Sequence, residues 1–76
     1  MADYNAVLKR TLAGFPDPKP QLRTKLYDRA RATIRRQLEN RSPPVVGDDL
    51  QAEMDKLEWA IYDIENGFDP SYPEPV

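Results

Sequence analysis

The stretch Leu50–Phe68 decides the fold, and it reads LQAEMDKLEWAIYDIENGF. Its apolar residues recur at alternating spacings of four and three, as in the seam by which one helix packs against another: Leu50, Met54, Leu57, Ile61, Ile64 and Phe68. Asp48 and Gln51 have the spacing of a capping box at the start of this segment, and Gly67 is placed to end it. We therefore expect a helix over about residues 49–66.

A second, longer amphipathic segment precedes it, over about residues 18–41. Asp17 is expected to cap this helix, with Pro18 in its first turn. Pro43 disfavours a helical conformation at Ser42 and therefore ends the segment. The residues that should pack against the seam lie on one side of the helical wheel: Leu22, Leu26, Ala30, Ile34 and Leu38.

A short helix is expected at the start of the chain, over about residues 3–13, with Asp3 as its cap and Gly14 as a left-handed end. Strand-like alternation is absent from the sequence. The sequence predicts an all-α fold: a three-helix arrangement built on an antiparallel helical hairpin, with the short N-terminal helix across it. We assign residues 1–68 to one helical interaction domain and residues 69–76 to a proline-rich tail or the start of a linker.

The two long helices carry opposite charges. Residues 18–41 contain eight basic and two acidic side chains, a net charge of +6, whereas residues 48–66 contain seven acids and one lysine, a net charge of −6. Each exposed ion pair contributes little, but complementary charge selects register and orientation. The pairing can occur within one molecule or between two molecules, and the sequence leaves both open.

Trp59 is the residue that the predicted core does not need. It falls roughly 180° from the seam on the helical wheel, with Ala52 nearby and Tyr62 to one side. One interpretation is that the N-terminal helix covers Trp59, and a second is that Trp59 belongs to an interface, where aromatic residues are enriched. A third is that the side chain is simply exposed. On the second interpretation the predicted partner-binding residues are Trp59, Tyr62, Ala52, Arg31 and Arg35.

Composition disfavours several classes of function. The chain has no cysteine and no histidine, which removes disulfides, zinc–thiolate sites and the commonest general base. The sequence has no glycine-rich phosphate loop and no nucleophile motif. We therefore expect a protein that is not an enzyme and that needs no cofactor and no metal. The start of the chain lacks the features of a signal peptide and no apolar run could span a bilayer, so we expect a cytoplasmic location and no membrane insertion.

The leading functional hypothesis is a non-catalytic module for protein–protein interaction or homo-oligomerisation, with a homodimer as the expected state. The alternative is a small nucleic-acid-binding adaptor that uses the basic second helix, through Lys25, Arg29 and Arg36. A net charge of −2 and the acidic third helix make nucleic acid the less favoured partner.

Several short matches along the two long helices carry a family resemblance: Leu26–Arg31 (LYDRAR), Gln37-Leu38, Pro43-Pro44, Leu57-Glu58 and Ala60-Ile61. With these the chain resembles a short N-terminal helical region of uncharacterised alphaproteobacterial proteins, over about residues 4–65. The resemblance implies a cytosolic N-terminal interaction or assembly domain, part of a larger assembly. It supplies no functional residues.

Overall fold

Three α-helices form the computed structural model, which describes residues 3–75. They are α1 (Tyr4–Ala13), α2 (Pro20–Glu39) and α3 (Gly47–Asn66), and the described part of the chain contains no strand. The all-α prediction is therefore confirmed. The predicted domain (residues 1–68) and tail (residues 69–76) extend beyond the described residues by Met1, Ala2 and Val76.

The first two helices begin in different ways. α1 begins as predicted, because the Oδ1 atom of Asp3 accepts a hydrogen bond from the Ala6 N–H at 3.1 Å. α2 has Lys19 at its cap position and Pro20 in its first turn, so the prediction of Asp17 as the cap is wrong. Asp17 instead has a φ of 52°, in the left-handed region that acidic side chains tolerate better than most. It turns the chain into α2, and its carboxylate binds the Lys19 ammonium group at 2.9 Å.

α3 begins at a glycine rather than at a side-chain cap. Val46 occupies the cap position and makes no side-chain cap bond, so the predicted capping box of Asp48 and Gln51 is wrong. Gly47 has a φ of 62°, which a glycine adopts without the steric penalty of a Cβ atom. The backbone therefore turns sharply at the first residue of the helix, and the acidic Asp48 and Asp49 fall in its first turn, where the helix dipole favours negative charge.

The helix ends also depart from expectation. Gly14 and Gly67 both have a φ of −74°, so the predicted left-handed end at Gly14 is wrong. The chain instead continues through a right-handed turn, and the next N–H groups, those of Phe15 and Phe68, bond back to carbonyls of the last helical turn. Both phenylalanine side chains stay about half exposed, at 40% and 48%.

The core lies where the three helices meet. Leu57 and Ile61 of α3 are 0% exposed, and Leu38 of α2 is 2% exposed. The remaining buried apolar residues are Tyr4, Leu8, Leu12, Tyr27, Ile34, Ala60 and Ile64. Five of the residues predicted for the seam are thus buried: Ile34, Leu38, Leu57, Ile61 and Ile64.

The other predicted seam residues are less buried than expected. Phe68 is about half exposed and lies outside α3, and the rest are only partly buried: Leu22, Leu26, Ala30, Leu50 and Met54. For the three α2 residues among these, the reason is that α2 turns Arg23 and Tyr27 toward α3 in their place. Leu26 and Ala30 then face the space between α1 and α2.

Ion pairs define how α2 and α3 run. Arg23, near the start of α2, pairs with Glu65 near the end of α3, and Arg31, further along α2, pairs with the earlier Glu58. Residue numbers rise on one helix as they fall on the other, which is the antiparallel arrangement predicted for the hairpin. The charge complementarity of the two helices therefore acts within one molecule at these two positions.

α1 packs chiefly on α3 and less on α2. The small Ala60 is 7% exposed at this contact and lines the same cleft as Tyr4, which is consistent with a close approach of the two helices. The Tyr4 hydroxyl donates a hydrogen bond to the Glu53 Oε1 atom at 2.8 Å and fixes the start of α1 on α3. This contact leaves α1 beside one long helix rather than evenly across both.

The tail turns back toward the helices. The Asp69 carboxylate accepts hydrogen bonds from the Ser71 N–H at 3.0 Å and the Ser71 hydroxyl at 2.7 Å, and the Tyr72 N–H bonds to the Asp69 carbonyl. Tyr72 is partly buried and packs against the core. Residues 69–72 thus form a turn that returns the chain to the domain.

Candidate interaction surfaces

A buried polar network closes one end of the bundle. The Arg23 guanidinium donates to both carboxylate oxygens of Glu65, at 2.7 and 3.3 Å, and to the Pro18 carbonyl at 2.8 Å. The Tyr27 hydroxyl donates to the same carboxylate at 2.7 Å. The Phe68 ring lies 4.2 Å from the guanidinium carbon and covers it, a cation–π contact.

The network joins four segments: the α1–α2 connector, α2, the end of α3 and the turn after it. The hydrogen bond to Glu65 raises the pKa of Arg23 above its ordinary value, so that side chain stays charged. Burial, followed by the hydrogen bond to Glu65, raises the pKa of Tyr27. The network therefore ties the connector, α2 and the end of α3 together.

Arg31 and Arg35, two predicted partner-binding residues, lie in different surroundings. Arg31 donates to both oxygens of Glu58, at 2.7 and 2.8 Å, and to Asp28 at 2.8 Å. The hydrogen bond to Glu58 is the main cause that raises its pKa. Arg35 is 62% exposed in its side chain and approaches Glu39 at 3.5 Å. Arg31 therefore links α2 to α3, whereas the Arg35 side chain is mostly exposed to solvent.

Trp59, Tyr62 and Ala52 share one exposed side of α3. Trp59 is 46% exposed and Ala52 is exposed. The Trp59 and Tyr62 rings meet edge to face, with centroids 5.5 Å apart and an angle of 84° between their planes. We call the side of α3 that these residues share with Asp55, Lys56 and Asp63 the α3 outer face.

Two clefts flank Trp59. One, of about 360 Å³, lies between the α3 outer face and the start of α1, at Asp3, Tyr4 and Asn5. The other, of about 370 Å³, lies between Trp59, Glu58 and Pro75 of the tail. α1 therefore lies beside Trp59 without covering it, and the indole stands as a ridge between two hollows.

The first cleft has a rigid wall. The Glu53 carboxylate accepts hydrogen bonds from the Tyr4 hydroxyl at 2.8 Å and from the Lys56 ammonium group at 2.7 Å. Burial, followed by the hydrogen bond to Glu53, raises the pKa of Tyr4 to about 12. The hydrogen bonds from Lys56 and then Tyr4 hold the pKa of Glu53 below its ordinary value. At neutral pH the side chains that seat α1 beside Trp59 thus keep fixed protonation states.

Charge on the α3 outer face is acidic. Asp48, Asp55 and Asp63 point to the same side of the helical wheel as Trp59, and none of them makes an ion pair within residues 3–75. Lys56 is the basic residue among them, and Glu53 holds it. On the α3 outer face the aromatic ridge is therefore surrounded by acidic side chains.

A groove between α1 and α2, which sequence reasoning missed, is the second apolar surface. It has a volume of about 330 Å³ and no α3 residue among its lining. Val7 and Phe15 on its α1 side are 45% and 40% exposed, and Leu26 and Ala30 lie on its α2 side. The apolar residues of α1 could have indicated this groove, because they cover a wider arc of the helix than a contact with α3 alone can bury.

The side of α2 along this groove is basic. Lys25, Arg29 and Arg36 are exposed and follow one edge of the groove on the helical wheel, and Arg29 lines it directly. None of the three makes an ion pair in the part of the chain that the structure describes. We call these three residues the basic rim.

Comparison with known proteins adds no relative: the chain matches no protein-family model, no curated protein and no solved structure. The resemblance to the alphaproteobacterial helical region therefore stays a prediction. Within residues 3–75 the structure has no cluster of acidic side chains suited to a metal ion, and none of its helices is long and apolar enough to cross a membrane.

Proposed function

We propose that this domain is a non-catalytic, cytoplasmic interaction module that self-associates through the α3 outer face. The observation that carries the proposal is Trp59, which is 46% exposed between two clefts and braced by Tyr62. An exposed indole on a helix, with a hollow on each side, has the shape of an interface hot spot. Small chains of this size also gain stability by oligomerisation when disulfides and metals are absent.

The polar side chains support a structural rather than a catalytic role. The most enclosed ionisable groups, Arg23 and Glu65, are bound to each other and to Tyr27. Catalytic acids and bases lie in clefts with a vacant position for substrate beside them. The aspartates of the α3 outer face are instead exposed side chains on one helix.

The alternative, a nucleic-acid adaptor, is less well supported. Two arginines of the strongly basic helix, Arg23 and Arg31, are held by glutamates of α3 and so cannot bind phosphates without leaving their partners. The basic rim remains available to phosphate groups. A titration with labelled duplex DNA and single-stranded RNA at low salt tests this alternative, since phosphate contacts must weaken steeply as salt is added.

Sedimentation velocity over a range of concentrations tests self-association. The wild-type chain should sediment as a mixture whose mean mass rises with concentration, and Trp59→Ala should weaken that association by roughly tenfold or more, as loss of a hot-spot tryptophan does. Far-UV circular dichroism should show unchanged helicity, because the removed side chain is half exposed.

The matched control is Val46→Ala. Val46 is 61% exposed and lies before α3, away from both clefts, so its truncation should leave the association constant unchanged. Equal association of Trp59→Ala and wild type would refute the proposal. So would unfolding of Trp59→Ala, because it would place Trp59 in the core.

A further inference from the structure

The groove between α1 and α2 has the complementary character to the α3 outer face. The groove is apolar along Val7, Phe15, Leu26 and Ala30 and carries basic side chains along its α2 edge. The α3 outer face presents an aromatic ridge with unpaired acids around it. One surface is a hollow with positive charge, and the other is a ridge with negative charge.

The two surfaces also lie apart. The groove is lined by α1, α2 and the connector at Phe15, whereas the Trp59 clefts are lined by α3, the start of α1 and Pro75. They have no residue in common. In a three-helix arrangement the gap between two helices lies opposite the third helix, so the groove and the α3 outer face point in different directions.

The groove is suited to an aromatic side chain. Its volume of about 330 Å³ falls within the range of pockets that enclose small organic ligands. The Thr11 hydroxyl, which lines it, is satisfied by the Val7 carbonyl of its own helix at 3.0 Å. A polar atom that already has its partner loses little when an apolar group covers it.

From this complementarity we infer that the groove of one copy receives Trp59 of a second copy, in a head-to-tail contact. The inference rests on the proposed self-association and adds the receiving surface to it. In such a heterologous contact two different patches meet, so a pair of copies keeps one free ridge on one copy and one free groove on the other. The contact can therefore continue into a ring or a chain of copies, unlike a symmetric dimer. Asp55 and Asp63 beside Trp59 would face the basic rim, which favours this orientation over ridge against ridge, where acids would meet acids.

A mixing experiment with two variants tests the inference. Trp59→Ala lacks the ridge and keeps the groove, whereas Val7→Arg places a bulky charge at the groove and keeps the ridge. Each variant alone should associate roughly tenfold or more weakly than wild type. Mixed in equal amounts, they should form a one-to-one heterodimer that stops at two chains, because one intact groove and one intact ridge remain.

A charge reversal at the basic rim is a second test that does not risk the fold. Arg29→Glu should weaken wild-type association by roughly fivefold to tenfold at low salt, since it places like charges together. Arg41→Glu is the control, because Arg41 is exposed and lines neither the groove nor the clefts beside Trp59. It should leave association unchanged.

The outcomes separate the inference from the proposed function. If Trp59→Ala abolishes association while Val7→Arg and Arg29→Glu do not, self-association through the α3 outer face stands and the groove as its receiver is refuted. If both single variants are weakened but their mixture stays monomeric, Trp59 and the groove do not meet across the contact and the head-to-tail arrangement is refuted. A wild-type chain that stays monomeric at all concentrations overturns both.

Discussion

Removal of Arg23 alone should cost most of the stability of this domain. In Arg23→Met, the Glu65 carboxylate stays enclosed, with its side chain 8% exposed, and keeps one neutral donor, the Tyr27 hydroxyl, in place of three donating groups. The Pro18 carbonyl also loses its hydrogen bond. Breaking a buried ion pair by removing one partner typically costs about 3–5 kcal/mol, because the other charge is left uncompensated.

That cost is comparable with the whole stability of a domain of this size, about 3–5 kcal/mol. Arg23→Met should therefore be largely unfolded at room temperature, with a melting temperature lowered by more than about 15 °C. Far-UV circular dichroism during thermal and urea unfolding measures both quantities. Arg35→Met, at an exposed arginine on the same helix, is the control and should change stability by less than about 0.5 kcal/mol.

Most of the stability lost in Arg23→Met comes from leaving the Glu65 charge buried without its partner, and not from losing the attraction itself. A triple variant separates the two contributions. Arg23→Met, Tyr27→Phe and Glu65→Leu together remove every charge and hydroxyl of the network, and such replacements are often neutral or stabilising. The triple variant should be clearly more stable than Arg23→Met. An Arg23→Met variant within about 1 kcal/mol of wild type, or a triple variant no more stable than the single one, would refute this reasoning.

Two further predictions concern the other ties between helices. Arg31→Met breaks the bidentate contact with the part-buried Glu58 and should lower the free energy of unfolding in urea by about 1 kcal/mol. Arg35→Met should lower it by less than about 0.5 kcal/mol. Equal losses for the two variants would contradict the assignment of Arg31 to the fold. At alkaline pH, Tyr4 keeps its proton longer in the folded chain than in the unfolded one, since its pKa is raised from 10.0 to about 12. The stability that it contributes is complete below pH 10 and is lost as pH rises toward 12, by about 1–2 kcal/mol. Urea midpoints at pH 9 and pH 11.5 should therefore fall further apart for wild type than for Tyr4→Phe, and an equal fall would refute the assignment.

The sequence predicted the helices better than their ends or their rotation. Apolar periodicity over residues 50–64 reflects burial of apolar surface, the largest favourable contribution to folding, so the helix and much of its buried side follow from it. The position of a helix cap depends on a single residue, and a residue two positions away can take the cap position instead. Lys19 and Val46 took the places expected for Asp17 and Asp48, because Pro20 and Gly47 set the local backbone more strongly than a side-chain hydrogen bond does.

Two features of the surfaces could not be predicted from periodicity. The helical wheel places Arg23 inside the apolar arc of α2, but only the fold shows that its partner is Glu65, 42 residues later in the chain. The rotation of α2 that accompanies this pair opens the groove at Leu26 and Ala30, which periodicity places in the seam. The exposed position of Trp59 was visible in the sequence, because its angle on the helical wheel depends on its own helix alone.

The dependence of Trp59 fluorescence on concentration tests the central proposal most directly. Trp59 is the single tryptophan of the chain, so its emission reports the α3 outer face without interference from another indole. Self-association through this face predicts that emission shifts to longer wavelength on dilution, as the half-exposed side chain loses the second copy that covers it, and that the shift follows the fall in mass measured by light scattering. An emission maximum that stays constant while the mass changes would place the contact elsewhere, and a constant mass and a constant maximum would contradict self-association altogether.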